Sequence, residues 1–368
     1  MPPSDAGSVT ADDARFLRAA LRYARWHLGR TGTNPSVATL IVLDGAIVGR
    51  GITAIGGRPH AETIALEEAG AAARGATAYV TLEPCAHHGR TPPCAEALVA
   101  AGVARVVAAV SDPDERVSGR GYAILREAGI AVLADCDPAG ARDVLGAYLT
   151  RSSKKRAQVT LKLAVSADGM VGRKGAGQVA ITGAVARAQV HRMRAEHDAI
   201  LVGIGTVLED DPELTCRLEG MEQRSPRRIV LDADARLPLG SKLVAGAAMP
   251  PVHVATADPL SDRARALAER GVRLIASETV DGRIALPELV EDLAALGIAS
   301  VMVEGGAAVA RAFLQEGLVD RIALFESDVL VGEGGIAAPF KGETLPAGFA
   351  VARRAVYGAD RFMLAERP

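Results

Sequence analysis

Residues 81–98 read TLEPCAHHGRTPPCAEAL, and residues 59–62 read Pro59-His60-Ala61-Glu62. His60-Ala61-Glu62 opens a helix predicted over Ala61–Ala73. Pro84-Cys85 closes a strand predicted over Ala78–Leu82, and Cys94 lies in the first turn of a helix predicted over Pro93–Ala101. Zinc favours His nitrogen and Cys thiolate, and a catalytic zinc keeps one of its four positions for water. Ligands His60, Cys85 and Cys94, carried on two helix starts and one strand end, converge at one edge of a sheet. Glu62 takes no place in that set; it suits a proton shuttle that accepts from the activated water and returns the proton to a leaving amine.

Taken singly, a His-x-Glu on a helix is an ordinary surface pair, and two nearby cysteines are ordinary small core residues. In this order, each at an element end, they point jointly to zinc. A purely structural zinc site is the rival: it needs a fourth ligand, from His87 or His88, and leaves Glu62 without a task.

Outward from this motif the chain alternates strand and helix. A helix over residues 11–29 puts Phe16, Ala19, Ala20, Tyr23 and His27 on one face, with Asp12 and Asp13 at its positive end. Strands Val37–Leu43 and Ala46–Gly51 are joined by Asp44-Gly45, a hairpin signal. Strand Ala104–Val110, a helix near Gly121–Ala128 and strand Ile130–Ala134 follow, which implies a three-layer α/β sandwich with mostly parallel crossovers. The polar run 151–157 reads as a linker, dividing a domain over 1–150 from one over 158–368. Beyond it, strands are predicted at Gln158–Val165, Ala199–Val202, Arg228–Leu231, Val252–Ala255, Val272–Ile275, Ser300–Val303 and Arg321–Glu326. Helices are predicted at Ala184–Ala195, Asp262–Glu269, Leu286–Leu296 and Ala308–Gln315. The halves do not repeat one another, so the domains differ.

Composition narrows the function. At 368 residues the chain exceeds one ordinary core. A net charge of −2 and 3% aromatic residues argue against nucleic-acid binding, which needs surplus cations and stacking rings. Four cysteines are too few for a disulfide framework, the opening residues lack the pattern of a signal peptide, and no apolar run is long enough to span a bilayer. These features suit a cytoplasmic protein whose thiols stay reduced; Cys136 and Cys216 have no partner in the motif.

In the second half Lys162 lies within a strong strand that leads into Ser166-Ala167-Asp168-Gly169. Gly203-Ile204-Gly205-Thr206 and Glu304-Gly305-Gly306 each follow an apolar strand, and a helix follows the latter. Glycine lets backbone approach a phosphate, and a helix amino end favours an anion. Neither stretch carries the full Rossmann fingerprint, which argues against that fold. Alone, Lys162 reads as a solvent-facing strand residue and a Gly pair as a tight turn.

The His-x-Glu, Pro-Cys and Cys order is that of zinc nucleobase deaminases, which place two residues between the cysteines. Here eight intervene, Ala86–Pro93, and they carry His87, His88 and Arg90, groups suited to a polar or phosphorylated substrate. TLEPCAHHGRTPPCAEAL, with NPSVATLIV, GRPHAETIAL and SDPDERVSGRG around it, resembles the bifunctional deaminase–reductase family of riboflavin biosynthesis. LKLAVSADG, ITGAVARAQVHRMRAEHDAILVGIGTVLEDDPELTCR, RRIVLDADARLP and VMVEGGAAVARAFLQEGLVDR resemble segments of that family's reductase domain. The match runs from about Ala14 to Val331.

The resemblance implies a cytidine-deaminase-like domain followed by a dihydrofolate-reductase-like α/β domain, with Zn2+ and NADPH as cofactors. The first domain would remove the 2-amino group of 2,5-diamino-6-(5-phosphoribosylamino)pyrimidin-4-one, and the second would reduce ribosyl to ribityl. It implies zinc on His60, Cys85 and Cys94, Glu62 and Lys162 as catalytic groups, and pyrimidine and phosphate contacts at Asn34, His87, Arg90 and Asp112. In the reductase it implies substrate contacts at Arg194, Leu214, Arg217 and Glu304. NADPH contacts would fall at Ala164, Thr206, Asp210, Gly306, Ala307, Ala308, Val309 and Ala310. A homo-oligomer, dimer or tetramer, is also implied. The chain departs from the family at Asp114 (usually Asn), Ala38-Thr39 (usually Gly-Cys), Ala180 (usually Trp) and Glu326-Ser327-Asp328 (usually an apolar, Pro-containing turn). The competing readings are a working deaminase joined to a degenerate reductase half, and a zinc-stabilised nucleic-acid binder.

Overall fold

A computed structural model of the chain describes residues 8–88, 92–115, 117–341 and 344–367. Two compact units divide between Lys155 and Arg156.

In the first unit, α1 (Ala11–Ala24) starts at a capping box in which Thr10 and Asp13 satisfy each other's backbone N–H. The predicted helix to residue 29 stops earlier: a 3-10 turn at Arg25–His27 rotates His27 off the buried face, and its Nδ1 meets the Thr53 carbonyl at 2.7 Å. Leu17, Leu21 and Ala24 complete the face begun by Phe16 and Ala20.

Next come β1 (Ala38–Leu43) and β2 (Ala46–Ile52), joined by Asp44 and Gly45 at φ 51° and 77°, the left-handed pair a two-residue hairpin needs. The rest of the unit is α2 (Ala61–Ala69), β3 (Thr77–Val80), α3 (Cys94–Ala101), β4 (Arg105–Ala108), α4 (Arg120–Glu127), β5 (Ala131–Leu133) and α5 (Pro138–Lys154). The sheet order is β2-β1-β3-β4-β5, with β1 antiparallel to both neighbours and β3, β4 and β5 parallel. One core cluster lies under α1 and α5 and the other under α2, α3 and α4, giving three layers.

Two glycines of β2 fix where α2 sits. A Cβ on Gly51 would lie 1.9 Å from the Ala61 carbonyl oxygen, and one on Gly49 would lie 2.2 Å from that of Ala65. Only bare backbone lets the helix approach so closely, and that approach sets the height of His60 and Glu62 over the sheet edge.

The stretch 151–157, expected as a linker, is mostly helix. Asp137 caps α5 by accepting from the Gly140 N–H at 2.9 Å, Pro138 fills the first turn, and Arg151 and Lys154 lie in the last turn, where the helix dipole favours cations. The basic run marks a helix end, and the chain passes from it into the next strand within a few residues.

The second unit contains β6 (Gln158–Val165), β7 (Met170–Arg173), α6 (Ala184–Glu196), β8 (Ala199–Gly203), α7 (Ile204–Asp210) and β9 (Arg227–Leu231). Then follow α8 (Lys242–Ala245), β10 (Val252–Thr256), α9 (Asp262–Glu269), β11 (Arg273–Ala276), β12 (Thr279–Val280), β13 (Arg283–Ile284) and α10 (Leu286–Ala295). The last elements are β14 (Ser300–Val303), α11 (Ala307–Gln315), β15 (Arg321–Glu326), β16 (Gly335–Ala337), β17 (Ala350–Tyr357) and β18 (Asp360–Glu366). Nine strands form one sheet in the order β11-β10-β9-β8-β14-β6-β15-β18-β17. It is parallel from β11 to β15, and β18 and β17 add an antiparallel edge. Core clusters cover both faces, as a parallel sheet requires. The β17–β18 hairpin and the short helix α7 carry no strong sequence signal. β17 is an edge strand exposed along most of its length, so the burial that writes alternation into a sequence is missing.

A functional site in each unit

His60 is the N-cap residue of α2, Cys85 follows β3 in an irregular segment, and Cys94 is the first residue of α3. His60 Nδ1 lies 3.8 Å from Cys85 Sγ and 3.4 Å from Cys94 Sγ, and the three ligand atoms fall within 4.8 Å of one another. A tetrahedral zinc with ordinary Zn–N and Zn–S lengths requires N···S edges of about 3.6 Å, so the donor set fits that ion. The Cys94 backbone N–H points at Cys85 Sγ from 3.3 Å, the outer hydrogen bond a thiolate ligand accepts. A hydrogen bond from Cys94 above all, joined by His60 and the Cys94 N–H, outweighs burial and holds the Cys85 thiol well below its ordinary value. Cys94 is pushed up in turn by Cys85 and by burial, and His60 is raised chiefly by Cys85.

Glu62 is buried beside this group, and burial first, then the charge of Cys85, raises its carboxyl. Among the described residues no fourth protein ligand joins the group. His88 pairs instead with Glu96 at 3.2 Å, and His87 keeps a buried Nδ1 with no hydrogen-bond partner among the described residues. That geometry leaves a position for water and favours a catalytic site over a structural one. Arg90 lies outside the described residues.

Asp112 and Asn34 belong to the same unit. Asp112 accepts from the Tyr148 hydroxyl at 3.0 Å on both carboxylate oxygens and from the Asp114 N–H at 2.9 Å, and burial lifts it to about 6. Asn34 donates to the Gly57 carbonyl at 2.8 Å. Two residues here escaped sequence reasoning. Tyr148 sits on α5, the helix that was missed. Glu83, buried next to Pro84-Cys85, accepts backbone N–H groups of Asp112, Gly119 and Gly121 at 3.1–3.2 Å. It ties the ligand segment to the start of α4; an acid between a strand end and Pro-Cys was the available signal. Thr39, where the family usually has Cys, leaves a buried hydroxyl without a partner.

In the second unit, sheet register assembles the site. Val303 of β14 pairs with Leu161 of β6, so the next residues, Glu304 and Lys162, come level at adjacent strands. Arg194 of α6 grips Glu304 with two parallel bonds, Nε to Oε1 at 2.8 Å and Nη2 to Oε2 at 2.9 Å, and spends Nη1 on the Thr215 carbonyl at 3.0 Å. Burial would raise the Glu304 carboxyl, but Arg194, helped by Lys162, holds it at about 2. Lys162 is lowered by burial against the pull of Glu304, and among the described residues its ammonium makes no hydrogen bond; it lies 6.0 Å from the centre of the Phe325 ring. The strand lysine read alone as solvent-facing is half-buried beside an ion pair.

Leu214 is buried with φ 57°, a costly backbone state for a branched residue and one that concentrates at functional sites. Arg217 is exposed and pairs with Glu213 at 3.1 Å.

The strand ends of β8 and β14 lie side by side. Thr206 Oγ1 accepts from the Gly306 N–H at 3.2 Å, and Gly305 has φ 111°, with Thr206 Oγ1 2.8 Å from where a Cβ would be. The start of α11 has no side-chain cap. A glycine turn against an uncapped helix start fits a dinucleotide phosphate. Asp210, raised by burial, lies one turn beyond Thr206 on α7. Ala307 and Ala310 point into the core while Ala308 is exposed and Val309 packs toward Gly203. Ala164 is half-buried on β6, two residues past Lys162 and on the same face. Ala180 is exposed. At the departure in 326–328, Ser327 accepts from the Val329 N–H at 3.2 Å and Asp328 pairs with Arg361 at 3.3 Å, so polar contacts replace the apolar turn.

Residues 157–357 match the model of the RibD C-terminal domain, and residues 10–110 match the cytidine and deoxycytidylate deaminase zinc-binding region. The chain is 38% identical to riboflavin biosynthesis protein RibD of Aquifex aeolicus over 322 residues, 88% of each chain. Against RibD of Corynebacterium ammoniagenes it is 38% identical over 350 residues, 94% of this chain and 95% of that one. The solved structure of Acinetobacter baumannii RibD (form 1) matches at TM-score 0.84 and 35% identity, over 97% of this chain and 99% of that one. A Thermotoga maritima structure titled diaminohydroxyphosphoribosylaminopyrimidine deaminase/5-amino-6-(5-phosphoribosylamino)uracil reductase matches at TM-score 0.84 and 31% identity, with the same coverage. The cytidine-deaminase-like sandwich followed by a dihydrofolate-reductase-like domain is thereby shown, as are zinc and NADPH as its cofactors. A deaminase with a degenerate second half is not favoured, because the RibD reductase domain is present. The chain belongs to the RibD family of bifunctional deaminase–reductases of riboflavin biosynthesis.

Proposed function

We propose that the first unit hydrolyses the 2-amino group from 2,5-diamino-6-(5-phosphoribosylamino)pyrimidin-4-one and that the second reduces the ribosyl group of the product to ribityl. The observation that carries this reading is the pairing, in one chain, of a three-ligand zinc set beside a buried carboxyl with a half-buried lysine that makes no hydrogen bond among the described residues and lies beside an ion pair. Zinc, when bound, activates a water for attack on the ring carbon. Glu62 holds the proton taken from that water and delivers it to the departing amine. His87, with its unpartnered Nδ1, and Asn34, Arg90 and Asp112 receive the polar edges of the substrate.

In the second unit NADPH supplies the reducing equivalent. Thr206, Asp210 and the segment from Gly306 to Ala310 hold it; Ala307 and Ala310 contribute backbone, because their side chains face the core. Ala164 lines the same face as Lys162. Lys162 delivers a proton to the opening sugar from Nζ. Glu304 and Arg194, neutralised by each other, set that ammonium in place. Arg194 commits its guanidinium to Glu304 and Thr215, so Arg217 is the better phosphate ligand, beside Leu214.

The reading includes a homo-oligomer in the cytoplasm. The long exposed edge strand β17 offers unpaired backbone groups to a second copy, and a reducing compartment keeps the zinc thiols available. A coupled assay on zinc-quantified protein tests the whole: ammonia release from the diaminopyrimidine and NADPH oxidation on the aminouracil product. Ammonia without NADPH oxidation, with both substrates supplied, would sink the two-step reading. Light scattering settles the assembly.

A further inference from the structure

The loop from Glu213 to Arg217 carries two proposed substrate contacts, and its backbone is strained at Leu214. Something must hold it. Two groups of α6, one turn apart, converge on Thr215: Arg194 Nη1 at 3.0 Å and His191 Nδ1 at 3.1 Å from its carbonyl oxygen. His191 Nδ1 also lies 3.3 Å from the Arg217 backbone nitrogen. With a proton on Nδ1 the ring donates to Thr215; without one it accepts from the Arg217 N–H. In either form it ties α6 to the loop within two residues of the Arg217 guanidinium. His191 takes no part in the reaction chemistry, yet among the described residues the Arg217 backbone N–H has no other hydrogen bond. Arg217 itself is exposed and, among the described residues, has only Glu213 as a side-chain partner, a residue of the same loop, so the place of its side chain follows the loop backbone.

We infer that His191 is a positioning residue for substrate phosphate, acting through the backbone of Arg217. The inference rests on the assignment of Arg217 as the phosphate contact. Without His191, Arg194 still holds the Thr215 carbonyl but the Arg217 N–H loses its tie to α6, so the loop end relaxes and Arg217 swings away, which weakens capture of the phosphorylated substrate and leaves the reducing step intact once substrate is bound.

The test uses the full-length protein, NADPH and 5-amino-6-(5-phosphoribosylamino)uracil. His191→Ala should raise KM for the aminouracil about ten-fold or more, the loss of a charge-associated contact, with kcat within about two-fold and KM for NADPH unchanged. His191→Asn, which offers both an amide donor and a carbonyl acceptor near the place of Nδ1, should restore KM to within about three-fold. A merely structural role would lower kcat or disturb NADPH and would not be rescued by Asn. Arg217→Ala separates the two claims. If it raises KM and His191→Ala does not, the His191 inference falls while the Arg217 assignment stands. If Arg217→Ala leaves KM unchanged, the Arg217 assignment fails and the route proposed for His191 fails with it. The double variant should be no worse than Arg217→Ala alone; multiplying losses would overturn the link between the two residues.

Discussion

The two sites of this chain are built by opposite means. In the first unit the proposed metal ligands lie within 35 residues, His60 to Cys94; two are aimed by helix starts, and Cys85 by the irregular segment that follows β3. In the second, Lys162, Arg194 and Glu304 are 110 residues apart from Arg194 to Glu304 alone, and only strand register and helix packing bring them together. The first site buries one carboxyl and one thiol and half-buries a second thiol, and an ion can neutralise the thiolates. The second neutralises itself with a bidentate ion pair and leaves one lysine as the surplus charge. A metal centre tolerates a short-range scaffold because the ion itself draws the ligands into geometry. A site without a metal needs the tertiary frame to do that work.

The comparison breaks most visibly on metal removal. Cys85→Ser, or chelation of the zinc, should abolish ammonia release while NADPH oxidation on supplied aminouracil stays near wild type; loss of both activities would show that the sites are not independent. Glu62→Gln should keep zinc at full stoichiometry by metal analysis yet slow deamination about 10³-fold, the range of a lost acid–base group. Normal deamination would remove Glu62 from the chemistry.

Lys162→Ala should lower reductase kcat about 10²-fold and leave ammonia release unchanged. In the same site Glu304→Gln strands the Arg194 charge, and unfolding of the second unit should cost about 3–5 kcal/mol less. The pair also sets an acid limit. Glu304 is held at about 2, below its ordinary 4.5, so the stability it contributes is present above pH 4.5 and drains away as pH falls toward 2. A melting curve that stays flat across that window would refute it.

The smallest effect sharpens the contrast. Burial lifts Asp112 to about 6 from an ordinary 3.8, so its ionised form destabilises the fold above pH 6 and the protonated form recovers that stability as pH falls toward 3.8. Asp112→Asn should therefore stabilise the first unit at pH 8 by on the order of 2 kcal/mol, with the gain gone near pH 4. It should also raise KM for the diaminopyrimidine. Equal melting temperatures at pH 8 would show that the Tyr148 hydrogen bonds already repay the burial.

Much of the fold was legible because burial writes itself into residue type. Strands β6, β14 and β15 are apolar runs flanked by turns, and their ends match the sequence expectation residue for residue. The misses share one cause. In α5, Gly140, Gly146 and a basic last turn dilute the apolar stripe, and β17 buries too little to show a period. Missing α5 hid Tyr148, and with it the environment of Asp112.

The sequence by itself determined the chemistry of the zinc site, because ligand type, order and placement at element ends constrain what can bind whatever the packing. It also determined that two unlike α/β domains follow one another. Tertiary structure alone decided that Lys162 sits half-buried beside an ion pair, that Arg194 is committed to Glu304, and that His191 meets the backbone of Thr215 and Arg217. Those outcomes depend on dielectric, register and the meeting of distant backbones, and none of these is a property of a residue or of its neighbours in the chain.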